Sequence, residues 1–99
     1  MRVISRKALT DFWRRHPQAE GPLLAWYQLT RHANWRSVAD LNATFSSAER
    51  VGRLTVFNVA GNKFRLVARV EYGLGIVFIR QVLTHHEYDK DKWKDDPWF

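Results

Sequence analysis

The chain contains no cysteine, which removes disulfide scaffolds, thiolate zinc sites and cysteine nucleophiles together. That absence fits a reducing compartment, and the cytoplasm is the expected location. Its three prolines and five glycines gather into no linker rich in Gly, Pro and Ser, and there is no internal repeat or low-complexity tract. No stretch approaches the roughly 20 apolar residues that cross a bilayer. Met1 to Lys7 is charged and is not followed by an apolar run of about 7 to 15 residues, so neither a signal peptide nor a membrane partner is expected. No nucleophile-elbow sequence is present, and Ser5, Ser37, Ser46 and Ser47 read as caps or loop residues. Gly61 and the Gly73/Gly75 pair fit no phosphate-cradling loop. Adjacent His85 and His86 cannot easily share one ion, and His16 and His32 lie in a different half of the chain without ligand spacing, so neither a metal nor another cofactor is expected.

What is present is one small domain, residues 1–99, because a chain of 99 residues that is 45% hydrophobic and 26% charged has room for a single core. Sixteen Lys and Arg against ten Asp and Glu leave a net charge of +6, which favours a polyanionic partner over a small neutral substrate. The charge is not spread evenly. Residues 1–36 carry +5, 37–49 carry −2, 50–80 carry +5 and 81–99 carry −2, which together make +6.

Local patterns divide the chain into a helical first half and a stranded second half. Arg2 to Ile4 reads as a short strand, and Ser5 as the N-cap of a helix holding Ala8, Leu9, Phe12 and Trp13. Arg14, Arg15 and His16 suit that helix's negative end, and Pro17 stops it. A second helix carries Leu23, Leu24, Trp26, Tyr27 and Leu29, with Pro22 tolerated in its first turn. Ser37 and Asp40 resemble a capping box before a short helix with Val38, Leu41 and Phe45. From Leu54 the chain turns β-branched and aromatic: Leu54 to Val59, Lys63 to Tyr72 and Ile76 to Leu83 read as three strands joined by tight turns. The expected fold is α+β, a small antiparallel sheet with the N-terminal helices packed on one face.

Alternation in the middle strand puts Phe64, Leu66, Ala68 and Val70 on one face and Lys63, Arg65, Val67 and Arg69 on the other. Arg65 and Arg69 then lie about 13 Å apart, a span suited to successive phosphates. The competing reading is a solvated outer face. Directly after the last strand comes the run Thr84, His85, His86, Glu87, Tyr88, Asp89. A histidine there exchanges protons near neutral pH, and a phenol beside arginines can do so as charge builds on a phosphate. The alternative for His85 and His86 is a pair of surface or helix-capping residues. Trp13 and Trp26 read as core and Trp35 as packed at a helix junction, whereas Trp93 and Trp98 fall in a charged tail and point to docking on the domain or on a partner, or to crystal contacts.

The strings Val56-Phe57-Asn58-Val59, Gly61-Asn62-Lys63-Phe64-Arg65-Leu66-Val67, Ile79-Arg80 and Thr84-His85-His86-Glu87-Tyr88-Asp89 occur in an order that resembles the HigB family of toxins within the RelE-like superfamily. The resemblance implies a RelE-like domain and the toxin of a bacterial toxin–antitoxin pair: an endoribonuclease that cuts messenger RNA, commonly on the ribosome. It also implies a cognate antitoxin, HigA-like and of helix-turn-helix type. In such toxins no metal is used: the ribose 2′-hydroxyl attacks the adjacent phosphate, so the protein supplies no nucleophile. On that basis Arg65, Arg69 and Arg80 are expected to bind the phosphate with help from Lys63. His85 and Tyr88 would move protons, and Arg53 and His86 would contact RNA. Asn58 and Asn62 are expected to hold turns through their side chains, and Asp89 to orient His85 or Arg80. Two other readings stay open at this point: a non-catalytic RNA- or ribosome-binding module, and a gyrase-inhibiting toxin of the same fold.

Overall fold

Apolar spacing of three and four residues sets the helical half. A computed structural model describing Met1–Phe99 contains α1 (Lys7–Arg15), which buries Leu9 and Phe12, α2 (Glu20–His32), which buries Leu23, Trp26 and Thr30, and α3 (Val38–Thr44), which buries Leu41. Pro17 ends α1 and opens a single 3₁₀ turn, and Pro22 sits in the first turn of α2, where its missing N–H leaves no bond unmade. The Ser37 hydroxyl accepts from the Asp40 amide at 3.2 Å, capping α3. Ser5 departs from expectation. Arg6 occupies the cap of α1 without a side-chain bond, and Ser5 contributes its backbone carbonyl to the Ala8 amide at 3.1 Å. The chain leaving the first strand presents that carbonyl, not the hydroxyl, to the open helix end.

The expected meander is present as β3 (Leu54–Val59), β4 (Phe64–Glu71) and β5 (Ile76–Thr84), antiparallel throughout. Two short strands extend it. β1 (Arg2–Ile4) pairs parallel with β5, and β2 (Glu49–Val51) pairs antiparallel with β3, giving the order β1-β5-β4-β3-β2. The sheet is therefore mixed and five-stranded, not a purely antiparallel three-stranded one. A parallel pair needs a long crossover, and the three helices between β1 and β2 are part of that connection. Lys63 belongs to the turn before β4 and not to the strand, because β4 begins at Phe64.

Between Val67 and Ala68 of β4 the register with β5 slips, so that Val67 faces Gln81 and Ala68 faces Ile79. Arg80 is the extra residue of this bulge. Alternation would send Arg80 and Gln81 to opposite faces; the bulge lets both reach the face away from the helices, where Arg80 meets Asp96 and Gln81 meets the Trp93 carbonyl.

Each face of the sheet carries its own apolar cluster. Against the helices, Phe57, Val59, Phe64, Leu66, Ala68, Val77 and Ile79 pack with Leu9, Phe12, Leu23, Trp26, Trp35 and Leu41. Each such fully buried large side chain contributes about 1.5–3 kcal/mol. On the outer face, Leu54, Val56 and Val67 are closed over by Trp93 from the C-terminal tail, with Val51, Leu83, Tyr88, Trp98 and Phe99 at the margin. The outer face is thus not a solvated cationic stripe, because the tail folds back along it. Gly52 in the β2–β3 turn, at φ +61°, permits this: a Cβ there would stand 2.9 Å from the Phe99 ring.

Candidate functional site

The run after β5 forms the short helix α4 (His85–Asp89), started by a reciprocal cap in which Thr84 Oγ1 accepts from the Glu87 amide at 3.1 Å and Glu87 Oε1 accepts from the Thr84 amide at 2.9 Å. The Thr84 amide holds the Glu87 carboxyl below its ordinary range, against the smaller opposing effect of burial. Within the helix His85 Nδ1 and Asp89 Oδ2 lie 3.2 Å apart, one turn from each other. The His85 amide donates to the Lys63 carbonyl at 2.9 Å. This bond ties α4 to the β3–β4 turn and places exposed Lys63 beside the exposed histidines. The end of α1 arrives at the same corner. His16 packs on the Phe12 and Phe64 rings, at 4.5 and 6.0 Å between centroids, and the charges of Arg15 and His16 are felt at Glu87.

Arg65 points from β4 onto the outer face and is only 8% exposed. Its guanidinium donates to the carbonyls of Asn62 at 3.2 Å and Phe64 at 3.1 Å and to Asn62 Oδ1 at 3.4 Å. It forms no ion pair with a carboxylate and lies 5.4 Å from the centroid of the Tyr88 ring. Burial raises the Tyr88 phenol above its ordinary value of 10.0, Glu49 adds to that, and Arg65 and Lys94 oppose it. The phenol therefore carries its proton at neutral pH. Asn62 holds its turn partly through Arg65. Asn58 does not hold a turn: it lies in β3 opposite Arg65, because the strand runs one residue further, to Val59.

The other arginines lie farther along the same face and are engaged by the tail. Arg80 Nε and Nη2 donate to the two oxygens of Asp96 at 3.0 and 3.1 Å, and the Trp98 ring stacks on that guanidinium at 4.0 Å. Arg69 pairs with Glu71 and stands 5.5 Å from the Trp98 ring. Arg53, in the β2–β3 turn, donates to the carbonyls of Pro97 at 3.1 Å and Phe99 at 3.3 Å. Burial alone would raise the Asp96 carboxyl, but the Arg80 guanidinium and the Trp98 amide bring it below its ordinary value.

The predicted residues thus fall into two groups on one sheet face. Lys63, Arg65, His85, His86, Tyr88 and Asp89 gather at the α4 end, and Arg53, Arg69 and Arg80 gather where the tail ends. Trp93, 3% exposed, lies between them and stacks on Tyr88 at 5.2 Å. Asp89 stands by His85, while Arg80 takes Asp96 instead. Trp98 docks on the domain, as its place in the charged tail suggested; sequence reasoning missed Asp96, although the net −2 of residues 81–99 after the +5 of 50–80 was a signal for contact between them. It also missed Arg15 and His16 at the α4 corner. The surface has two hollows: one of about 310 Å³ beside Glu87, Lys90 and Trp93 of the tail, and one of about 230 Å³ between α3 and the end of β4 that reaches Arg53 and Arg69; neither is lined by a histidine. No three His, Asp or Glu side chains cluster so as to hold a metal ion.

Chemically, the α4 end offers a guanidinium without an acidic partner, a protonated phenol against it, and a histidine with a carboxylate beside it. Such a set can bind an anion and move protons on either side of it.

Comparison with known proteins shows the family of the chain. A family model described as HigB_toxin, the RelE-like toxic component of a toxin-antitoxin system, matches residues 19–91. The mRNA interferase toxin HigB of Escherichia coli K12 is 36% identical over 92 residues, covering 90% of this chain and 88% of the relative. The mRNA interferase HigB of Shigella flexneri matches to the same extent, and that of Escherichia coli O6:H1 is 22% identical over 93 residues, covering 91% and 90%. The matched span runs from α2 through α4, taking in the whole meander and the His85–Asp89 helix, and the chain belongs to the HigB family of RelE-like toxins.

Proposed function

We propose that this toxin is a metal-independent endoribonuclease that cleaves messenger RNA on the ribosome in the cytoplasm, and that a HigA-like helix-turn-helix antitoxin holds it inactive. The relatives' names, mRNA interferases all, support the substrate. The observation that carries the reaction is the meeting of Arg65 and Tyr88 beside the His85–Asp89 pair.

In the proposed reaction the ribose 2′-oxygen bonds to phosphorus as the bond from phosphorus to the 5′-oxygen breaks, leaving a 2′,3′-cyclic phosphate. The negative charge of the five-coordinate phosphorus faces Arg65, with Lys63 at its edge, while Arg69 and Arg80, farther along the same face, hold a neighbouring phosphate of the RNA. His85, oriented by Asp89, takes the 2′ proton. Tyr88, whose phenol holds its proton at neutral pH, protonates the departing 5′-oxygen. Arg53 and His86 contact the flanking RNA. Asn62 keeps Arg65 aimed by accepting from it.

Cleavage on programmed ribosomes by His85→Ala, Arg69→Ala and Tyr88→Ala variants tests this site. Loss of cleavage, with cyclic-phosphate ends on the wild-type product, is expected; full activity in all three variants overturns the assignment.

A further inference from the structure

We propose that Arg80, Arg69 and Phe78 form a nucleotide-binding subsite on the outer sheet face, and that the chain's own Asp96 and Trp98 fill it until RNA displaces them. The inference rests on the reading of this face as the RNA site, and names what occupies it at rest.

The contacts are those a nucleotide would make. Asp96 meets Arg80 with two oxygens on two nitrogens, at 3.0 and 3.1 Å, and a phosphate presents the same pair of acceptors to the guanidinium fork. The Trp98 indole lies flat over Arg80 at 4.0 Å, with Arg69 at 5.5 Å and the edge of Phe78 at 5.5 Å, which is how an unpaired base stacks on cations and rings. The two mimics form one unit, since Asp96 Oδ1 also accepts from the Trp98 amide at 2.8 Å. Acid and aromatic ring are thereby locked together as phosphate and base are in a nucleotide. Arg53 holds the backbone of the same segment through Pro97 and Phe99.

The segment can leave without dismantling the fold. Trp93 is the buried anchor of the tail and remains in the outer cluster. Beyond it no residue is fully buried: Asp95 and Pro97 are exposed, and Asp96, Trp98 and Phe99 are of intermediate exposure. The segment is held by the Arg80–Asp96 pair, whose carboxylate is 6% exposed, by Trp98 on Arg80 and Arg69, and by Arg53 on two backbone carbonyls; each is a contact to a cation for which a polyanion with several phosphates competes. In the resting state two of the proposed phosphate-binding arginines are therefore covered by a carboxylate and an indole.

The test is binding of a fluorescent, 2′-O-methylated RNA oligonucleotide, which cannot be cleaved, to the full chain and to Asp96→Asn, Trp98→Ala and the double variant. Each single variant is expected to bind about tenfold tighter than wild type, and the double variant tighter still. Adding Arg80→Ala to the double variant should abolish the gain. Asp96→Asn keeps the side-chain shape, so the variant should still melt cooperatively, below wild type only by the contribution of the lost Arg80 ion pair. An excess of a synthetic peptide matching residues 95–99 should compete with RNA for the double variant, an outcome that depends on no stability difference between variants. Unchanged or weaker RNA binding by the folded single variants, or a peptide that does not compete, overturns the proposal and makes the tail a buttress. Cleavage assays separate the two readings: tighter binding with no cleavage by any form upholds the subsite and defeats the nuclease, whereas cleavage by wild type with unaltered binding in the variants does the reverse.

Discussion

The Arg65 guanidinium faces the Tyr88 ring from 5.4 Å, and the other side of the phenol's neighbourhood is occupied by Trp93, stacked at 5.2 Å between centroids. The contact joins β4 to α4, so the ring and the hydroxyl of Tyr88 have separable jobs. Tyr88→Phe keeps the ring and is expected to unfold within about 0.5 kcal/mol of wild type while cleavage falls about 10²- to 10⁴-fold. Tyr88→Ala should lose both activity and stability, the latter by about 3 kcal/mol. Denaturant unfolding alongside single-turnover cleavage checks the separation.

His85 and Asp89 sit one turn apart on α4 with 3.2 Å between Nδ1 and Oδ2. Because Asp89 acts through the imidazole, Asp89→Asn should reduce cleavage about tenfold, less than the loss of about 10²-fold or more expected for His85→Ala. Both residues are exposed, so neither change should move the unfolding midpoint by more than the spread typical of surface substitutions, about 0.5 kcal/mol. Equal losses from the two variants would show that Asp89 does more than orient.

Trp93 closes the outer cluster over Leu54, Val56 and Val67 and donates its indole N–H to the Tyr88 carbonyl at 3.1 Å. Trp93→Ala is expected to cost about 3–5 kcal/mol in urea unfolding, the range of large aromatic truncations in a core. Trp98→Ala, removing a ring of intermediate exposure, should cost well under that. A Trp93→Ala variant as stable as wild type would mean that the outer cluster contributes nothing to the fold.

Stability should fall at both ends of the pH scale. Glu87 and Asp96 are held below their ordinary values of 4.5 and 3.8. The folded state therefore binds fewer protons than the unfolded chain there, and their contribution is present above those values and lost as pH drops through the folded pKa. Tyr72 and Tyr88 are raised above 10.0, chiefly by burial; their contribution is complete below pH 10 and disappears as pH climbs past it. Melting temperatures measured from pH 2 to 11 should show both limbs, with Glu87→Gln flattening the acid limb and Tyr88→Phe the alkaline one.

Much of this architecture was legible in residue patterns because it depends on local physics. The bounds of β3 follow from a β-branched run closed by Ala60, Gly61 and Asn62, and the cap of α3 from Ser37 three residues before Asp40. What was not legible depends on partners distant in the chain. Nothing local tells Arg2–Ile4 to pair parallel with Ile76–Phe78, or tells Arg80 that a bulge opposite Val67 and Ala68 will let it meet Asp96. The basic strand face was identified as residues, yet its environment was misread: Arg65 is buried among carbonyls because the tail and Tyr88 cover that face. Asn58 was placed in the right strand but given the wrong role: it pairs opposite Arg65 within the β3–β4 ladder and so holds no turn.

The pairing of β1 with β5 also bears on how the protein is made. Its partners are far apart in sequence, Arg2 opposite Ile76 and Ile4 opposite Phe78, so closing that edge costs the entropy of a long loop and belongs to the last steps of folding. The inner cluster needs Val77 and Ile79, and the outer one needs Trp93. Neither side of the sheet is therefore complete until the segments that carry Val77, Ile79 and Trp93 have joined the rest.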